Sequence, residues 1–80
     1  MAKAFVLIST EIGAEKEVLE ELRKIPAVKE ADIVYGVYDI VVKIDVESAE
    51  KLRDIVTSRI RRLGKVRSTL TMIVVEGFER

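Results

Sequence analysis

The chain of 80 residues has no cysteine, histidine, tryptophan, asparagine or glutamine, and only one proline. Without cysteine there are no disulfide bonds, and the lack of both cysteine and histidine argues against a zinc or haem site. A chain this short buries only about 60% of the surface that its unfolded form exposes. Association with another subunit is the remaining means of stabilising so small a core, so we expect self-association.

An excess of charge of one sign is also missing, because 14 basic residues balance 14 acidic ones. This balance argues against a general nucleic-acid binder, whose affinity rests on neutralising phosphates. No apolar run approaches the roughly 18 residues of a membrane span, and no signal peptide is visible. We therefore expect a cytoplasmic protein without a membrane partner. Few Asn, Gln and Cys beside many Glu, Lys and Arg is a pattern typical of thermophile proteins.

Apolar residues make up 49% of the chain, and their spacing alternates between strand and helix periods. We predict a single domain over residues 1–80 with the order β-α-β-β-α-β. Gly13 opens the first helix and Pro26 stops it, whereas Gly64 terminates the second. Gly36 lies in a hairpin loop, where it is available for a positive φ. The predicted strands cover residues 4–8, 28–35, 40–44 and 66–75.

This order predicts an α+β, ferredoxin-like fold, in which a four-stranded antiparallel sheet carries both helices on one face. A sheet with one solvated face should alternate apolar and polar residues. Strands one, three and four instead read as apolar on both faces. The simplest cover for the second face is the same face of another copy, which gives a C2 dimer resembling a dimeric α+β barrel. The alternative is that Thr, Lys and small residues keep this face wet.

The topology brings three segments, residues 9–13, 36–39 and 65–71, to one end of the sheet. Short hydroxyl side chains, a glycine loop and one aspartate can bind a small polar molecule through hydrogen bonds. Asp39 has two readings, as the partner of a ligand ammonium or as a cap of its own turn. The uncharged polar residues at this end are Ser9, Thr10, Tyr38, Ser68, Thr69 and Thr71.

The second half of the chain contains a basic cluster. Residues 55–75 include several basic residues and no acidic one. Its positive field suits an anionic group or an acidic partner surface. Equally, these cations can interact with the carbonyls at the end of the second helix and form salt bridges between subunits. The cluster consists of Arg59, Arg61, Arg62, Lys65 and Arg67.

The usual signatures of catalysis are missing from the sequence. It has no Cys or His nucleophile–base pair, no phosphate-binding glycine loop and no metal-ligand spacing. Only Phe5 is placed to stack on an RNA base, as the RNA-binding version of this fold requires. We therefore expect no enzyme activity, no cofactor, no metal and no direct nucleic-acid binding.

The hairpin Gly36-Val37-Tyr38-Asp39-Ile40 resembles the glycine-x-aromatic-aspartate turn of the Lrp/AsnC family, the feast/famine regulators. Three more segments are similar to that family's first strand, its helix-to-strand passage and its last, threonine-bearing strand. The resemblance covers essentially all 80 residues. The three segments are residues 4–8, 25–28 and 63–71.

The resemblance implies a stand-alone effector-binding domain of this family, the RAM domain (regulation of amino acid metabolism), without the usual helix-turn-helix domain before it. It further implies dimers joined through their sheets, rings of dimers (commonly octamers or decamers) and amino acid effectors bound between dimers. The family's effector pocket corresponds here to Gly36, Tyr38, Asp39, Thr69 and Thr71, with Ser68 as a further candidate.

Three functional hypotheses follow. The first, which we favour, is an oligomeric amino acid-binding regulatory module, which senses amino acids alone or modulates transcription in assemblies with full-length Lrp/AsnC regulators. In this hypothesis Asp39 faces the ammonium group, and backbone N–H groups near Gly36 and Thr69 face the carboxylate. The second is an assembly partner of such regulators with no effector of its own. The third is a small enzyme of the dimeric α+β barrel type.

Overall fold

A computed structural model describes residues Ala2–Arg80. It confirms the β-α-β-β-α-β order and the ferredoxin-like arrangement, with a four-stranded antiparallel sheet in the order β2-β3-β1-β4. A π-helical turn continues the second helix. The elements are β1 (Ala2–Thr10), α1 (Glu15–Arg23), β2 (Val28–Ile33), β3 (Ile40–Val46), α2 (Ala49–Ile55), the π-helical turn (Val56–Ile60) and β4 (Val66–Ile73).

The core lies between the two helices and one face of the sheet, which we call the inner face. On the central strand β1 this face presents Ala4, Val6 and Ile8, all with no exposed surface. Residues directly opposite each other in an antiparallel pair share a face, so the register adds three β3 residues to the same layer. They are Ile40, Val42 and Ile44.

Helix α1 has acidic residues in its first turn and Arg23 in its last, as the helix dipole favours. Val18 and Leu22, one turn apart, enter the core. The helix ends at Arg23, before the predicted limit at Pro26. Ile25 nevertheless remains in the core, and its amide donates to the carbonyl of Leu22 at 3.0 Å.

The second helix begins at a Ser48 cap, whose hydroxyl accepts from the amide of Lys51 at 3.2 Å. Its buried residues Leu52, Val56 and Ile60 are spaced four apart. The π-helical turn keeps them in one row, because a wider turn places every fourth residue nearly in line. The amide of Arg61 donates to the carbonyl of Val56, five residues back, at 2.9 Å.

Two glycine predictions were wrong. Among the described residues, a positive φ occurs only at Gly13, where φ is 83°. Gly36 therefore needs no left-handed conformation in the β2–β3 loop. Gly64 is not a left-handed helix cap either, since the helical segment already ends at Ile60 and a turn follows.

Strands β2 and β4 end earlier than predicted, whereas β1 and β3 are longer than predicted. β2 ends at Ile33, and Tyr35 is fully exposed in the loop that follows. β4 ends at Ile73, after which the amide of Val74 still donates to the carbonyl of Lys3 at 2.9 Å. In both cases the strand-forming residues continue along the chain beyond the last residue that pairs in the ladder.

The opposite face of the sheet, the outer face, is apolar only in part. Phe5 pairs with Met72 on this face, and Leu7 pairs with Leu70. Phe5, Met72 and Leu70 have 38%, 43% and 46% of their surface exposed. The prediction was wrong for strand three, whose outer residues after Val41 are Lys43 and Asp45. β3 thus has the mixed character of a solvated strand, whereas β1 and β4 form an apolar patch.

Candidate ligand-binding site

The structure brings the three predicted segments together at one end of the sheet, which we call the loop end. The amide of Glu11 donates to the carbonyl of Lys65 at 2.9 Å, which joins the end of β1 to the chain before β4. The amide of Thr10 donates to Oδ2 of Asp39 at 2.8 Å, which joins β1 to the β2–β3 loop. One residue earlier, Ser9 pairs with Ser68 across the β1–β4 ladder.

Asp39 anchors the β2–β3 loop to the central strand. Its amide donates to the carbonyl of Ile8, and its carbonyl accepts from the amide of Val34, both at 2.9 Å. Its Oδ2 also lies 3.4 Å from the hydroxyl of Thr10. The Asp39 side chain therefore bonds to the end of β1, and within the described residues it makes no hydrogen bond to its own turn. Within residues 2–80, no hydrogen bond reaches Oδ1 of Asp39.

Thr10 and Glu15 also belong to this end, although the predicted pocket did not include them. Thr10 is the buried polar residue there, with 4% of its surface exposed. Its hydroxyl donates to the carbonyl of Glu11 at 3.1 Å and lies 3.5 Å from Oε2 of Glu15. The same Oε2 accepts from the amide of Gly13 at 3.1 Å. The sequence signal for Thr10 is its place in the alternation of inner-face residues along β1.

Thr69 and Thr71 lie on one face, as predicted. They pair with Ile8 and Val6, so they lie on the inner side of the sheet. β4 is an edge strand, which leaves Thr69 half-buried and Thr71 exposed. Ser68 pairs with Ser9 and therefore lies on the outer side. The structure thus separates Ser68 from the two threonines, with the sheet between them.

The hairpin residues and the threonines stand on opposite sides of β1. Asp39 is bonded to Ile8 on the β3 side, and Thr69 pairs with the same Ile8 on the β4 side. Two strand spacings separate them, about 10 Å between the backbones. Gly36 is exposed and Tyr38 half-buried in the loop. The predicted site residues therefore form two groups in one copy, which we call half-sites of the predicted pocket. Each is open to solvent, and they are too far apart for backbone groups alone to contact one small ligand.

A groove of about 720 Å³ lies elsewhere. It runs between the C-terminal segment and the outer face, where Phe5, Met72 and Phe78 are among its lining residues. Lys43 bridges it through an ion pair with Glu79 at 3.7 Å. None of the six predicted pocket residues lines this groove, so it marks the apolar patch of the outer face rather than the loop end.

Residues 2–80 contain no group of three or more His, Cys, Asp or Glu side chains placed to hold a metal ion. No helix in this range has both the length and the apolar character of a transmembrane span. What the loop end offers is hydrogen bonding by hydroxyls, backbone amides and carboxylates.

A sequence model described as the Lrp/AsnC ligand binding domain matches residues 3–79. The chain belongs to this family. An uncharacterized HTH-type transcriptional regulator of Pyrococcus furiosus is 40% identical to it over 73 residues, which cover 88% of this chain and 49% of that protein. The Lrp/AsnC chain described here thus spans about half the length of the curated relatives it matches.

Solved Lrp/AsnC-type structures share the whole fold. The crystal structure of FFRP-DM1 is 41% identical, with a TM-score of 0.90 over 94% of this chain and 100% of that one. The structure of E. coli AsnC is 25% identical, with a TM-score of 0.93 over 99% of this chain and 54% of that one. The expected family and fold are therefore confirmed.

Proposed function

We propose that this Lrp/AsnC domain is an oligomeric amino acid-binding regulatory module. It would sense amino acids by itself or modulate transcription in assemblies with full-length regulators of its family, in the cytoplasm, without catalysing a reaction or contacting DNA. Its relatives are transcriptional regulators, which supports a regulatory role. The observation that carries the ligand proposal is the junction of β1, the β2–β3 loop and the start of β4 at one end of the sheet.

The proposed ligand is a zwitterion, because this end offers groups for both of its charges. Oδ1 of Asp39 is available for the ammonium group, since the bonds to Thr10 use Oδ2. The hydroxyls of Thr69 and Thr71 lie on an uncovered edge and can donate to the carboxylate. Gly36 and Tyr38 border the loop side, and Ser68 would serve only a ligand group that reaches the outer side.

The two half-sites imply that a neighbouring copy completes the pocket. Across about 10 Å of backbone separation, a ligand held by the loop of one copy needs the threonine edge of another. Effector binding would then favour one assembly over another, because a ligand shifts an equilibrium only through its different affinity for the two states. We propose a dimer joined through the apolar patch of the outer face as the unit of that assembly.

The first experiment is thermal unfolding of the purified chain with each of the common amino acids, with light scattering on every sample. A ligand at a hundredfold excess over its dissociation constant stabilises the native state by roughly 2.7 kcal/mol, so an effector raises the melting temperature selectively. A matched D-amino acid serves as the control for each L-form that is active. A stable oligomer that no amino acid stabilises would contradict the ligand proposal.

One observation favours a second candidate function, that of an assembly partner without an effector. The carboxylate of Asp39 already has a structural task, because it accepts from the amide of Thr10 at 2.8 Å. In this case the hydrogen bonds at the loop end would only stabilise the fold. The chain would then associate with full-length regulators whether or not amino acids are present. Co-purification with such a regulator in amino acid-free buffer, unchanged by the whole panel, would support this function.

A further inference from the structure

The basic cluster has no part in the proposed function. It lies where the second helical segment passes into β4, with one residue in the π-helical turn, three in the connection and one in β4. Every member is exposed to solvent. The members are Arg59, Arg61, Arg62, Lys65 and Arg67.

The core fixes the backbone that carries the basic cluster. Ile60 is buried, and Leu63 and Val66 pack against the core as half-buried residues. The amide of Leu63 donates to the carbonyl of Ile60 at 3.2 Å, and the amide of Val66 donates to the carbonyl of Leu63 at 3.1 Å. A turn of this kind brings its two ends within about 7 Å, so the two successive turns hold the cations in one compact patch.

The arginines of the basic cluster have no carboxylate partner within the chain. Among residues 2–80, no ion pair involves any of the four, and Lys65 has a single long one, with Glu11 at 3.9 Å. On α1, by contrast, Arg23 and Lys24 pair with acids three positions before them at 3.3 Å and 2.9 Å. Like charges that are not neutralised repel each other and destabilise a compact chain. An anionic partner would relieve this repulsion.

We propose that the basic cluster binds an extended acidic segment of a partner protein, in which several Asp or Glu side chains lie close together. Arginine suits this partner, because its planar fork binds a carboxylate through two parallel hydrogen bonds. An ion pair between exposed groups is individually weak, so affinity requires several of them at once. The fixed backbone of the cluster lowers the entropy cost of forming them together.

The surroundings of the basic cluster favour a narrow polypeptide over a nucleic acid. Acidic residues border the cluster: the amide of Glu11 is bonded to the carbonyl of Lys65 at 2.9 Å, and Asp54 lies in the last turn of α2. The whole chain has no net positive charge. A DNA duplex carries one negative charge per about 1.7 Å of its axis, so a duplex laid over the cluster also faces these carboxylates. A peptide strand can contact the cluster alone.

This inference goes beyond the proposed function, since it requires neither an amino acid effector nor a contact between copies. It competes with a simpler reading, in which the cations only complement the carbonyls at the end of the helix. Lys65 and Arg67 lie beyond the helical segment, which ends at Ile60. The effect of a helix dipole falls off within the last turn, so the dipole does not account for the whole cluster.

The test is the binding of a fluorescently labelled glutamate decamer to the full chain, measured by fluorescence anisotropy at low salt. A glutamine decamer is the neutral control, and a labelled DNA duplex is the competing polyanion. We expect only the glutamate decamer to bind well. Its affinity should fall at least about threefold when the ionic strength is raised to about 0.15 M, because exposed charges are then screened.

The variant Arg61→Glu/Arg62→Glu should weaken the binding of the glutamate decamer at least about tenfold, because attractive contacts become repulsive. Arg61→Lys/Arg62→Lys keeps the charges and should retain most of the affinity. The matched control Lys16→Glu/Lys29→Glu makes the same change of net charge at two exposed positions outside the cluster. It should change the affinity less than about threefold. Arg59→Gln is a milder second variant, which should weaken binding about twofold.

Circular dichroism and sedimentation of every variant complete the test. The inference is overturned if the glutamate decamer does not bind at low salt, if the glutamine decamer binds equally well, or if the charge-reversed and control variants lose the same affinity. Tighter binding of the duplex than of the glutamate decamer would assign the cluster to phosphates. A lower mass of the charge-reversed variant would assign it to a contact between copies. Either of these results also overturns the inference.

Discussion

At the scale of single residues, Asp39 and Thr10 decide how the loop end is built. Thr10 is buried beside the end of β1, and its amide has a carboxylate rather than a backbone carbonyl as its acceptor. The sequence predicted that Asp39 and a run of hydroxyl residues share this end. It did not predict that the aspartate joins the loop to the central strand, because the partner lies 29 residues away and no local pattern links the two.

Asp39→Ala should lower the free energy of unfolding by about 1–3 kcal/mol, since it leaves a buried amide without its acceptor. Asp39→Asn should cost less, because the amide oxygen can still accept from Thr10. Urea unfolding at a fixed protein concentration measures both. Asp32→Ala, an exposed position on β2, is the control and should change little. Equal losses from Asp39→Asn and Asp39→Ala would argue against this role of the side-chain oxygen.

At the scale of elements, periodicity predicts the order of strands and helices, but not where each ends. Apolar strand formers continue beyond β4 into Val74 and Val75, so composition alone cannot mark the last paired residue. The π-helical turn is similarly hidden, because core residues four apart also suit an ordinary helix. The sequence likewise does not show which glycine has a positive φ. Gly13 and Gly36 both lie in loops, and of the two only Gly13 adopts a positive φ.

Gly13→Ala should therefore cost about 1–2 kcal/mol of stability, because an L-residue is disfavoured in the left-handed region. Gly36→Ala should stay within about 0.5 kcal/mol of the wild type, as surface substitutions usually do. The pair is matched, since an added Cβ meets no atom within 4 Å at either position. Chemical unfolding of both variants side by side checks the contrast. A larger loss at Gly36 than at Gly13 would contradict the backbone assignment.

At the scale of the whole molecule, two surfaces of opposite character lie on the two sides of the fold. The outer face of the sheet is an apolar patch on β1 and β4, while the solvent side of the second helix is charged. The apolar face was predictable on these two strands, because apolar residues recur at every second position, Phe5 and Leu7 on β1 and Leu70 and Met72 on β4.

Leu70→Glu should separate the proposed sheet dimer, because it places a charge at the centre of the apolar patch, where Leu70 lies opposite Leu7. Light scattering should show a fall in mass, with the circular dichroism of the fold retained. Val37→Glu, at a loop position with 92% of its surface exposed, provides the same chemical change away from the patch. A Leu70→Glu chain of wild-type mass would remove the outer face from the assembly.

The place of β1 in the sheet has a consequence for how the molecule is made. Of the four strands, β1 leaves the ribosome first, yet it pairs on one side with β4, the last of the four. Ile8 therefore pairs with Thr69 only after all four strands have been synthesised. Until then a growing chain presents an apolar strand with an open edge, which is the kind of surface that invites pairing with other chains. Sheet closure is thus a late, long-range event, and such topologies fold slowly for their size. During synthesis, β3 can already pair with the other edge of β1, so that only the edge facing β4 stays open until β4 is made.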